Sequence, residues 1–177
     1  MPVCEMEKQE LGIKRPENEI RVCFVCTGNT CRSPMAAAVA NFLAKERGAD
    51  EKKIVAVSAG LYANDGEPIS ARAVEALEQA GITPIAGKDY HTHTAHTLTA
   101  EEIERIDLFV GLGGGHCMEL LMRYPQAATR ITAMPNPIAD PYGGDGMIYA
   151  ACLAQITAGV KQLLFSADAP KGELHDG

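Results

Sequence analysis

The uninterrupted apolar run Val22-Cys23-Phe24-Val25 passes within one residue into the turn-forming Thr27-Gly28-Asn29, and then into Ser33-Pro34 and an apolar stripe. No other feature of the chain narrows the fold as much. A run without polar interruption is what a strand buried on both faces requires, which places a strand over Glu19 to Cys26. Ser33 reads as an N-cap with Pro34 at the first helical position. Met35, Val39, Phe42 and Leu43 recur at helical spacing until Gly48. Strand, tight loop and helix in this order open a parallel α/β unit.

The same alternation continues. Lys53 to Ser58 is predicted as a second strand, and Ser70 caps a helix that carries Val74 and Leu77 inward before Gly81. Thr99 with Glu102 is a capping-box signature, followed by a third strand over Ile106 to Leu112. A helix over about His116 to Arg123, a fourth strand over Arg130 to Met134 and a last helix from about Asp145 to Phe165 complete the pattern. Strands separated by helices of this length imply an α/β three-layer sandwich: a four-stranded parallel sheet, helices on both faces, and a loop after the first strand. Ligands in such folds gather at the carboxyl ends of the strands. Cys26 stands at one such end, and Asp140 follows another.

A chain of 177 residues suits one domain. The expected division is a polar extension over Met1 to Asn18, a domain over 19–166, and a polar tail over Ala167 to Gly177. With no Trp and 5% aromatic residues the core must be aliphatic. The uninterrupted apolar runs fall short of the ~20 residues that cross a bilayer, and the charged N-terminus has no secretory apolar segment. A cytoplasmic location without membrane partners is expected, and the six cysteines are then expected to be reduced thiols. A formal charge of -7 opposes electrostatic binding of nucleic acid.

Cys26-Thr27-Gly28-Asn29-Thr30-Cys31-Arg32-Ser33 sets a thiol and a guanidinium with five residues between them, between a buried strand and a helix N-terminus. Gly28 and Asn29 tolerate left-handed backbone, so the N–H groups of Thr27, Gly28, Asn29, Thr30, Cys31 and Arg32 can turn inward as an anion-binding nest. The helix dipole adds to that field, and Arg32 can hold two oxygens of a phosphate or sulfate-like anion bidentately. The field that binds phosphate also favours the thiolate of Cys26, the nucleophilic form, and Ser33 can donate a hydrogen bond to that sulfur. A buried core thiol is the ordinary alternative for any lone cysteine; Cys23, inside the strand, is assigned that role. The trio Cys23, Cys26 and Cys31 makes a poor metal site, because Cys23 and Cys26 point to opposite strand faces and no second ligand pair follows. No metal and no cofactor are expected. Covalent phosphoryl transfer to Cys26 needs a proton donor for the leaving group, and Asp140-Pro141-Tyr142 supplies a carboxylate on a stiff loop beside an aromatic ring.

From about Glu19 to Phe165 the chain resembles the low-molecular-weight protein-tyrosine-phosphatase family. The resemblance is carried by Val25-Cys26-Thr27-Gly28-Asn29-Thr30-Cys31-Arg32-Ser33-Pro34, by Ser58-Ala59-Gly60 and by Asp140-Pro141-Tyr142. It implies hydrolysis of a phosphorylated protein with Cys26 as nucleophile, Arg32 as phosphate clamp, Asp140 as general acid and Tyr142 as pocket wall. It further implies that Asn29, Ser33, Ser58 and His93 form a buried network holding the loop, and that Cys31 is a redox partner able to trap oxidised Cys26. Thr30 with Gly143-Gly144 resembles the bacterial branch that includes protein-arginine phosphatases, which leaves phosphotyrosine and phosphoarginine both open as substrates. Gly111-Leu112-Gly113-Gly114-Gly115 departs from the family pattern and is expected to form a loose loop; His116 stands where a dinucleotide fingerprint needs its third Gly. Two other readings are a thioredoxin-linked arsenate reductase of similar fold, which would need a closely spaced second cysteine pair, and a non-catalytic phosphate-binding module, which would not need Asp140.

Overall fold

The computed structural model describes residues 17–48 and 53–166. Most of the expected N-terminal extension and the whole C-terminal tail lie outside the described residues, as does Cys4. Strands β1 (Glu19–Cys26), β2 (Lys53–Gly60), β3 (Leu108–Gly111) and β4 (Ile131–Ala133) form one parallel sheet in the order β2-β1-β3-β4. Helices α1 (Arg32–Arg47), α2 (Ala71–Gln79), α3 (Ala100–Ile103), α4 (Gly114–Arg123) and α5 (Gly146–Val160) surround it.

The period of two along β1 sorts its side chains into two cores. Val22, Phe24 and Cys26 enter the core shared with α1, α2 and α5, whereas Cys23 and Val25 enter the one shared with Ile103, Phe109 and Leu120. Helices on both sides of a central strand explain why that strand is apolar without a break, as a parallel sheet demands. Cys23 is buried to the point that its thiol is pushed far up in pKa, chiefly by that burial, which makes it an inert core residue.

Register positions the site. Cys26 pairs with Gly60 on one side, and Val25 pairs with Gly111 on the other. The carboxyl ends of β1, β2 and β3 therefore lie level, and the loops leaving them meet at one edge of the sheet.

Several local expectations change. Helix α1 begins at Arg32 with Cys31 at the N-cap, so Ser33 lies inside the first turn and caps nothing. Its hydroxyl is engaged by the site instead. Ser70 does occupy an N-cap position, but makes no side-chain cap bond and donates to the Tyr149 hydroxyl at 3.4 Å. The glycine-rich stretch is not a loose loop: Gly114 and Gly115 form the first turn of α4, and the His116 ring turns back to accept from the Gly113 N–H. That contact supplies a partner for one of the helix-start donors that would otherwise lack one. Strands β3 and β4 are shorter at both ends than the apolar pattern indicates, because pairing ends where each chain leaves for its helix or loop.

The last helix runs through α5 and continues as a π-helical turn over Lys161–Phe165. Its 20 residues make it, among the described residues, the one helix long and apolar enough to cross a membrane, although no single run within it is. Cys152, Leu153, Ile156 and Val160 are nevertheless buried against the α1 side of the sheet, the packing of a core helix.

Candidate active site

The loop from Cys26 to Arg32 joins β1 to α1 at the level edge. Asn29 is the one non-glycine residue with positive φ, 57°, among the described residues. Its short polar side chain tolerates the left-handed conformation and is wholly buried. The bonds made by Asn29 determine the direction of a hydrogen-bond relay. The His96 backbone N–H donates to Asn29 Oδ1 at 3.1 Å, which orients the side-chain amide. Asn29 Nδ2 then donates to Ser33 Oγ at 2.9 Å and to Ser58 Oγ at 3.0 Å. With its oxygen accepting from Asn29, Ser33 has its own hydrogen for Cys26 Sγ, 2.9 Å away. His93 Nε2 donates to the Asn29 carbonyl, an acceptor only, at 2.8 Å. Burial lowers the His93 pKa from its ordinary value, so the ring is held neutral with its proton on Nε2.

The loop is also pinned from outside. Leu61 N–H donates to the Cys26 carbonyl and Tyr62 N–H to the Thr27 carbonyl, each at 3.0 Å, while Ser70 N–H donates to the Thr30 carbonyl at 2.9 Å. These three bonds fix the loop carbonyls at Cys26, Thr27 and Thr30. Gly60 makes this possible: a Cβ there would stand 2.7 Å from the Thr27 carbonyl oxygen.

Arg32 is almost fully buried. Its Nη1 donates to the Ile138 carbonyl at 3.0 Å, and its Nη2 lies 3.7 Å from Asp140 Oδ2. Ile138 N–H in turn donates to the Leu112 carbonyl at the end of β3, and Pro141 is buried, so the loop bearing Asp140 is tied to the same sheet edge. Asp140 and Tyr142 themselves are exposed, with the Tyr142 N–H donating to Asp140 Oδ1 at 3.1 Å. Gly144 N–H closes the turn onto the Pro141 carbonyl at 2.8 Å, and Gly143 adopts φ 79°.

Cys31 meets a second polar group. Tyr149 Oη lies 3.2 Å from Cys31 Sγ and accepts from Ser70. Burial, with the Cys31 contact, pushes the tyrosine up to about 12, so its hydroxyl keeps its proton. Thr30 Oγ1 sits 3.7 Å from the same sulfur. The five described cysteines are all free thiols, and no cluster of metal-ligating side chains occurs among the described residues.

Cys26, Arg32, Ser33, Asn29, Ser58, His93 and Asp140 thus converge on one edge, with Thr30 and Tyr142 nearby. Sequence reasoning passed over the His96 amide, Tyr149, the bracing role of Gly60 and the contact of Ser70, read only as a helix cap, with Tyr149. Backbone donors leave no residue-type signal, and no motif in the sequence marks Tyr149.

The low molecular weight phosphotyrosine protein phosphatase model matches residues 21–173. The chain belongs to that family. A protein-arginine-phosphatase of Geobacillus stearothermophilus is 31% identical over 153 residues, covering 81% of this chain and 93% of its own. The crystal structure of a low molecular weight protein tyrosine phosphatase from T. tengcongensis superposes with a TM-score of 0.73 at 34% identity, covering 81% of this chain and 97% of that one. A second similar structure is the YwlE arginine phosphatase as a cysteine-to-serine mutant with a phosphorylated active-site serine. It has a TM-score of 0.71 at 26% identity, over 81% of this chain and 93% of that one. Membership of this family makes the protein a phosphoric monoester hydrolase of the protein-phosphatase class.

Proposed function

We propose that this protein removes a phosphoryl group from protein side chains through a phosphocysteine on Cys26, with Asp140 as general acid and base. The observation that carries the reading is the 3.7 Å approach of Asp140 to Arg32, which brings a carboxylate from a distant loop over the loop that holds the nucleophile. A phosphate-binding module would have no use for it. A dithiol relay is also disfavoured, because it needs a closely spaced second cysteine pair, whereas Cys117 and Cys152 lie on separate helices with their thiols directed to the Thr132 and Ala139 carbonyls.

In the first step Cys26 Sγ attacks phosphorus, and the bond to the leaving oxygen or nitrogen breaks as Asp140 gives that atom its proton. The loop amides and the Arg32 guanidinium balance the charge that gathers on the equatorial oxygens. In the second step a water loses its proton to the Asp140 carboxylate and attacks phosphorus, and the sulfur departs as a thiolate. The Ser33 hydroxyl stabilises that sulfur as nucleophile and as leaving group alike.

The arginine-phosphatase relatives and Thr30 favour a second reading of the substrate, phosphoarginine. A short side chain with a hydroxyl admits a broad polar head where a bulkier aliphatic residue would exclude it. The substrate classes are separated by comparing turnover on phosphotyrosyl and phosphoarginyl peptides. The mechanism is tested with Cys26→Ser, which is expected to bind inorganic phosphate in calorimetry and to hydrolyse no aryl phosphate. Hydrolysis at the wild-type rate would refute the phosphocysteine.

A further inference from the structure

His116 lies outside the relay around Asn29, on the opposite flank of the loop, and two contacts define its state. The Gly113 N–H donates to Nδ1 at 3.1 Å. An amide N–H has nothing to accept with, so Nδ1 carries the lone pair and the ring proton is on Nε2. Nε2 lies 3.1 Å from Thr27 Oγ1 and donates to it. Thr27 is the residue directly after the nucleophile, and its carbonyl already accepts from Tyr62 N–H. It is held by its backbone from the segment after β2 and by its side chain from the start of α4.

We propose that neutral His116 is a positioning residue: its Nε2–H braces Thr27 and so keeps the first amides after Cys26 aimed at the bound oxyanion. The idea rests on the phosphatase reading of the same loop. The charged groups around the ring pull in both directions: Arg32 opposes its protonation, and Glu119 and Asp140 favour it. Burial decides in favour of the neutral form. Protonation would put a second N–H opposite the Gly113 amide and turn the ring away from Thr27.

Two substitutions separate the two contacts. The Asn amide reaches about as far as Nδ1, so His116→Asn keeps the Gly113 contact and loses Thr27; the Gln amide reaches the Nε2 position, so His116→Gln restores a donor to Thr27. Both variants are read by turnover of an aryl phosphate and by affinity for inorganic phosphate. His116→Asn is expected to lose roughly three- to tenfold in each, the scale of one hydrogen bond, and His116→Gln to recover most of it. Thr27→Val deletes the same bond from the other side, and adding His116→Asn to it should cost nothing further. It also reports on the brace should His116→Asn fail to fold. Wild-type values in His116→Asn, equal losses in the Asn and Gln variants, or additive losses in the double variant would each overturn the proposal. If the wild-type protein hydrolyses nothing, the phosphatase reading fails, while phosphate affinity across the same variants still decides whether His116 braces the loop.

Discussion

At the scale of single residues, the site depends on side chains whose hydrogen bonds leave one direction open. Asn29 receives from His96 and donates to Ser33 and Ser58, so the one proton left at Ser33 goes to the Cys26 sulfur. Removing Asn29 would leave buried Ser33 and Ser58 without their donor at about 1–3 kcal/mol for each unpaired group. In the proposed mechanism Asp140 has a different part, touching the reaction only through a proton. Asp140→Asn is expected to lower kcat by ~10²–10⁴-fold for a poor leaving group and much less for an activated aryl phosphate that departs without a proton. Equal losses for both, measured across a series of leaving groups, would remove Asp140 as the acid. Thr30→Ile is expected to shift the ratio of phosphoarginyl to phosphotyrosyl peptide turnover toward phosphotyrosine; an unchanged ratio would take Thr30 out of substrate choice.

At the scale of elements, the level ends of β1, β2 and β3 matter more than any one strand, because the register of Cys26 with Gly60 places a backbone without Cβ directly behind the loop. Gly60→Ala forces a methyl to within 2.7 Å of the Thr27 carbonyl, against backbone that cannot swing aside. The expected cost is about 1–3 kcal/mol of stability in a denaturant titration, together with weakened phosphate binding, since the loop itself must shift. Stability lost with phosphate affinity intact would mean that the strain is relieved in β2 instead. The sequence marks Ser58-Ala59-Gly60 only by resemblance to a family. The reason for Gly60 is a contact between segments far apart in the chain, and no local pattern encodes it. The same holds for the start of α1. Ser33-Pro34 has the letters of a cap, but Ser33 makes its bonds with Asn29 and Cys26, one turn away in space, and the helix begins one residue before it.

Across the whole molecule, the histidines set how stability responds to pH. His93 and His116 are both lowered from the ordinary value near 6.5, first by burial. The unfolded chain therefore binds more protons than the folded one between their folded pKa values and about 6.5. Stability should fall as pH drops through that window and level off below it. His91 acts in the opposite sense: hydrogen bonds to Glu78 and then Asp89 raise it, so its contribution is complete below the ordinary value and is lost as pH rises through the raised one. It is exposed, and solvent screens it. Melting temperatures taken between about pH 7 and pH 5 are expected to decline, and the double variant His93→Gln, His116→Gln should show a flatter decline. A melting temperature that rises on acidification would contradict the assignment of both rings as neutral.

By itself the sequence determined the alternation of strand and helix, the buried central strand and the loop that presents a thiol and a guanidinium. Each of these is written in contiguous residues whose spacing and conformational preferences act locally. Only the tertiary structure decided how Asn29 orients the Ser33 hydroxyl toward the sulfur, which glycine lets the loop close, and that histidines from two separate segments grip it from either side. Those outcomes depend on strand order and register, which bring distant segments within hydrogen-bonding distance, and distances of that kind exist only once the sheet has formed.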